Sequence, residues 1–176
     1  MMLWWERVAR VTPVPLILRM VVFLASFSGL WLASPQQASV PRLILIMVFI
    51  ATLPALLPGT RIVDVVLIGI VAAWVATTLG VGEPAEPVRV FAIATALYLA
   101  HSAAALAAAM PYDAIVDAQV PLRWAARCAL VIIAGGVITA AVVVTARTVP
   151  PDRGVIVLLA GLGIVLGTVA VLTRKR

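Results

Sequence analysis

The sequence predicts an all-α fold, a polytopic transmembrane bundle of about six spanning helices, and three observations carry that reading. First, 64% of the 176 residues are hydrophobic and 11% are charged, with a mean hydropathy of +1.18. A soluble domain carries about a quarter charged residues. Second, long apolar runs fill residues 14–173, interrupted only by short polar turns, and a spanning helix needs about 20 such residues to cross about 30 Å of hydrocarbon. Third, the runs lack the alternation of barrel strands, so the backbone groups must pair within helices. No remaining segment is long enough for a soluble domain, and residues 1–176 read as a single integral membrane domain.

The first run covers residues 14–33. Basic residues precede it, as in a secretory leader, but it is longer than a leader's apolar region. Its exit, Trp31-Leu32-Ala33-Ser34-Pro35, lacks a small-x-small cleavage pattern, so it reads as a retained span. Trp4 and Trp5, beside Glu6, Arg7 and Arg10, form a short amphipathic lead-in that anchors it. The second run, 40–57, is the shortest, with Pro41 suited to a first turn and Pro54 near the end. Its alternative is a re-entrant hairpin arm, which leaves five crossings and moves the N-terminus to the other side. Pro58-Gly59-Thr60-Arg61 then breaks the chain.

The third run, 62–81, ends at the acidic, proline-stiffened turn Gly82-Glu83-Pro84-Ala85-Glu86-Pro87. The fourth covers 88–110. The longest polar connection follows, residues 111–127, reading PYDAIVDAQVPLRWAAR. The fifth run, 128–149, stops at Pro150-Pro151-Asp152-Arg153-Gly154, and the sixth, 155–173, is closed by Arg174-Lys175-Arg176.

Charge placement sets the expected orientation. With six spans both termini share a side, which holds Arg7, Arg10, Arg19, Arg61, Arg123, Arg127 and the terminal triplet, nine cations. The opposite side holds Arg42, Arg89, Arg147 and Arg153, four cations. By the positive-inside rule the nine-cation side, with both termini, is cytoplasmic, in a bacterial inner membrane. The net charge of +6 comes with no basic run interleaved with aromatics, so nucleic acid is not an expected partner. Cys128 is the sole cysteine, which excludes an intrachain disulfide and a CxxC metal site.

The candidate positions are few. His101 is the one ionisable residue near a span centre, and intramembrane ionisable groups normally face the bundle and pair. An imidazole there suits a proton relay. The plainer reading, a neutral histidine bonded to a neighbouring helix, is favoured because no second histidine exists and no carboxylate is expected at its depth. Asp64 follows Arg61 by one turn, a spacing that favours a local ion pair over a cation pathway. Arg19, inside the first span, snorkels to the headgroups or meets Asp64 across helices. No metal site and no cofactor are expected.

In the 111–127 connection, Asp113 and Asp117 are four apart, as are Arg123 and Arg127 with Trp124 between. Tyr112 and Trp124 suit the interfacial aromatic belt. These residues fit a cytoplasmic docking or lipid-phosphate surface, or a Mg²⁺ site for lipid chemistry using the two aspartates. An interfacial connector with self-paired charges is the preferred reading. Small residues concentrate in the second half. They include the alanine clusters of the fourth run, Gly135-Gly136 with Ala140 four beyond, and the Gly163/Gly167 GxxxG pair, and they let helix backbones approach.

No GxSxG elbow, HExxH pair or GxxxxGK[ST] loop occurs. The only serine beside the histidine, Ser102, diverges from it on a helix. The alanine-, valine- and arginine-rich composition with a single lysine, together with PYDAIVDAQVPLRWAAR, resembles small polytopic membrane proteins of actinobacteria that have no assigned activity, so the resemblance implies no functional residues. The expected function is a non-enzymatic accessory or scaffold subunit of an envelope complex. Its surroundings are the lipid bilayer, and it contacts a membrane-protein partner or a second copy of itself. A small oligomeric transporter or proton-coupled permease using His101 and Asp64 comes second. A lipid-phosphate enzyme using Asp113, Asp117, Arg123 and Arg127 comes third.

Overall fold

The computed structural model describes residues 13–35, 41–80, 82, 84–110, 117 and 119–148. Among them the chain is all-helical, with α1 (Pro13–Ala33), α2 (Pro41–Leu56), α3 (Ile62–Gly80), α4 (Pro87–Ala108) and α5 (Gln119–Thr148). Four segments are long and apolar enough to cross a membrane: Val14–Ala33, Ile62–Gly80, Pro87–Ala108 and Gln119–Thr145. With 16 residues, α2 is shorter, about 24 Å at 1.5 Å per residue. The Trp4/Trp5 lead-in, Tyr112, Asp113 and the sixth run with Gly163 and Gly167 lie outside the described residues.

Local chemistry fixes the ends. Prolines open α1, α2 and α4, where a missing N–H is harmless. The N-cap of α4 is the extended residue Glu86, whose carbonyl accepts the Val90 N–H at 3.0 Å. At the end of α2, the Leu57 N–H reaches the Leu53 carbonyl, but Pro58 has no N–H to continue the ladder. Thr60 closes the turn, donating from both its N–H and its hydroxyl to the Leu57 carbonyl. After α3, Gly82 takes a φ of +75°, a conformation that favours glycine.

One difference from the sequence reading concerns α5, which begins at Gln119 rather than near Cys128. The Asp117 carboxylate accepts the Gln119 N–H at 3.0 Å, and its carbonyl accepts the Val120 N–H at 3.0 Å, as an N-capping residue does. Pro121 falls in the first turn, where proline is tolerated. Half of the supposed polar connection is therefore helix.

The chain divides into two units, Met1–Gly135 and Gly136–Arg176. In the first, α1 packs on α2, α3 and α4, most extensively on α4. Long-range hydrogen bonds give the directions: the start of α1 meets the end of α2, the start of α4 meets the end of α1, and the ends of α1 and α3 meet. Helices α1 to α4 therefore alternate in direction. One core cluster joins Val22, Ala55, Val63, Ala103 and Ala104, and another joins Ala33, Val66, Ile70 and Ile93. Small residues make this close packing possible. Ala25, Gly29 and Ala33 recur every four residues on α1, all buried, opposite a buried alanine series on α4 that includes Ala96, Ala100, Ala103 and Ala107. A Cβ on Gly29 would stand 3.1 Å from Ile70 Cδ1 and 3.6 Å from Ala96 Cβ. In lipid, where apolar burial drives little, such backbone approach and its dispersion contacts favour association. In the second unit, the described residues 136–148 are helical, and Val137, Ile138, Val142 and Val144 are exposed.

Candidate functional site

The strongest polar contacts of the first unit tie arginines to helix ends. Arg19 Nη1 donates to the carbonyls of Ala55 and Leu56, each at 3.0 Å. These are among the last carbonyls of α2, which have no intrahelical partner. Because α2 is short, its end falls beside Arg19, the seventh residue of α1, rather than beyond the helix starts. A part-buried carbonyl left without a partner costs about 1–3 kcal/mol, and a cation at a helix C-terminus is also favoured by the helix dipole. The same device recurs at the opposite end. Arg89 Nε donates to the Leu32 carbonyl at 2.7 Å, and Nη2 donates to the Ser34 carbonyl at 2.8 Å. The intervening Ala33 carbonyl lies 2.9 Å from the Thr77 hydroxyl, which shares its proton with Ala73 at 2.8 Å.

Beside the α2–α3 turn lies a cavity of about 270 Å³, lined by Pro58, Gly59, Thr60, Arg61, Val63, Asp64, His101, Ala104 and Ala105. It exists because the turn is level with the end of α4: a Cβ on Gly59 would meet Ala108 Cβ at 3.5 Å. His101 is the fifteenth of the 22 residues of α4, about 10 Å before its end by helical rise. Asp64 lines the same cavity as His101. The local Arg61–Asp64 ion pair is corrected here. Both side chains are exposed, and among the described residues they do not pair with each other. Arg19, grouped with them on the sequence, is engaged at the α2 end.

No protein-family model, curated protein or solved structure matches this chain. The arrangement of its own side chains therefore carries the functional argument.

The 119–127 stretch is positioned by α5. Arg123 Nη2 donates to Gln119 Oε1 at 3.1 Å, and Arg123 and Arg127 are exposed. Trp124, expected in the interfacial belt, is half-buried. Its ring packs against the Val22, Ala55, Val63, Ala103 and Ala104 cluster, and its Nε1 is buried with no acceptor among the described residues. Asp117 is occupied as a cap, and Asp113 lies outside the described residues. Among those described, no group of three or more His, Cys, Asp or Glu is placed to hold a metal ion.

One feature escaped the sequence reading. Cys128 is buried on α5, with its Sγ 3.7 Å from the Ser102 hydroxyl and Tyr98 beside it. The four-residue spacing of Tyr98 and Ser102 places both on one face of α4 and was a usable signal. Gly135 was among the small residues expected to admit close packing. A Cβ there would stand 3.1 Å from the Phe91 ring, so the missing side chain admits the close contact. Gly136 and Ala140 belong to the second unit.

Proposed function

We propose that the protein is an accessory or scaffold subunit of a membrane complex in a bacterial cell envelope, and that it binds a transmembrane helix of a partner protein. The observation that carries this reading is an open apolar groove of about 480 Å³ between α1 and α4. Its small lining residues are Ala25, Ser28, Ala92, Thr95 and Ala96, flanked by Val21, Leu24, Phe91 and Leu99. Small residues between larger ones suit the seating of a helix rich in branched side chains. The test is co-purification in mild detergent with mass spectrometry of the attached chains, repeated for Ser28→Leu with Ala92→Leu. A defined membrane protein retained by the native chain and lost from the filled groove supports the scaffold reading. A homogeneous chain with no companion, or a complex indifferent to the filled groove, refutes it.

A second reading, a small proton-coupled carrier, is favoured by the shared cavity of Asp64 and His101. In that case His101→Ala abolishes flux in proteoliposomes, and unchanged flux removes the reading.

We further propose six crossings, with both termini cytoplasmic in the inner membrane of an actinobacterial cell. The alternation of α1, α2 and α3 supports counting α2 as a crossing, because the chain must return between the end of α1 and the start of α3. The nine-to-four distribution of cations supports the orientation.

A further inference from the structure

We propose that the cavity beside the α2–α3 turn binds the headgroup of an aminophospholipid, with phosphate and primary ammonium held by different side chains. The cavity lies where α2 ends and α3 begins, against the last two turns of α4. Helix ends of a spanning bundle meet the headgroup layer, so this is a place where lipid headgroups are the abundant solute. Its charged lining is mixed. Arg61 and His101 can donate to a phosphate, and Asp64 can accept from an ammonium. Opposite charges i, i+3 on a helix ordinarily satisfy each other. Among the described residues Arg61 and Asp64 do not, so both remain available to a ligand that carries both signs. The start of α3 adds the positive end of its dipole near the phosphate position.

Size and selectivity follow from the same residues. At about 30 Å³ per water-sized group, 270 Å³ holds about nine such groups, and phosphoethanolamine has about eight heavy atoms. Ala104 and Ala105 leave that space open. Choline offers Asp64 no N–H, and glycerol offers no charge, so the carboxylate selects the primary amine.

The test uses the full chain, delipidated in mild detergent and titrated with phosphatidylethanolamine, phosphatidylcholine and phosphatidylglycerol of identical acyl chains, read by native mass spectrometry. Phosphatidylethanolamine is expected to bind about tenfold more tightly than phosphatidylcholine, the effect of one charge-assisted hydrogen bond. Asp64→Asn should level the two while leaving phosphatidylglycerol binding in place. Ala105→Phe, at an exposed position, should fill the cavity and remove the preference with helicity and melting unchanged. Equal binding of the two lipids by the native chain overturns the proposal. So does a preference that survives both substitutions. Inorganic phosphate should displace phosphatidylethanolamine more readily from Asp64→Asn than from the native chain; equal displacement also overturns the proposal, since the amine then plays no part.

Discussion

Replacing Arg19 by Met keeps the apolar stem and removes the guanidinium that serves the end of α2. Two hydrogen bonds are lost, to Ala55 and Leu56, and a bond from a charged donor is worth about 1.5–3 kcal/mol. Against that sum stand two reductions. The Leu56 bond is exposed, and interhelical polar bonds in bilayers average only about 0.6 kcal/mol because the unfolded chain finds other partners. The expected loss is about 1–3 kcal/mol, measured as unfolding free energy in a detergent titration. It should be accompanied by faster amide exchange at Leu57 and Thr60, the residues that close the turn after α2. Arg19→Lys should recover part of it, since an ammonium offers charge without the planar fork. A change below about 0.5 kcal/mol, the range of neutral surface substitutions, with exchange unaltered, would show that the α2 end does not depend on Arg19.

Three other tests bear on the same architecture. Arg89→Met and Thr77→Val each free carbonyls at the end of α1. Because the two share that end, the double variant should depart from additivity by at least about 0.5 kcal/mol in the same titration. Gly29→Leu should destabilise by about 1–3 kcal/mol through overpacking against Ile70 and Ala96. Gly69→Leu, with nothing within 4 Å of a built Cβ, should stay within about 0.5 kcal/mol, and equal effects would refute the close α1 packing. Asp117→Ala should cost about 0.5–2 kcal/mol as a lost cap, read as faster exchange at Gln119 and Val120.

Helix existence was legible because length and hydropathy decide it. α1, α3 and α4 fall on the first, third and fourth apolar runs, and prolines mark their starts or their ends. Pro121 already read as a first-turn residue of the fifth span, but the apolar run begins only near Cys128, because Gln119, Arg123 and Arg127 lie along the same helix as polar residues. The arginine caps were not legible at all. Arg19 meets Ala55 and Arg89 meets Leu32 across 36 and 57 residues, and no local pattern encodes which carbonyl end a guanidinium reaches. The cavity failed for a related reason. Counting residues placed His101 near a span centre, while the depth of the turn after Leu56 depends on how short α2 is and on what packs beside Gly59. The buried alanines of α4 were anticipated as small-residue packing, but the matching Ala25, Gly29 and Ala33 series on α1 was overlooked despite its four-residue period.

The most direct measurement is labelling of single cysteines in intact membranes, in a Cys128→Ser background, with a maleimide that does not cross lipid. Thr60→Cys and Ala85→Cys flank α3, one exposed site beyond each end. If α3 spans the bilayer as one member of an alternating bundle, the two sites react from opposite faces. Reaction of both from the same face contradicts it.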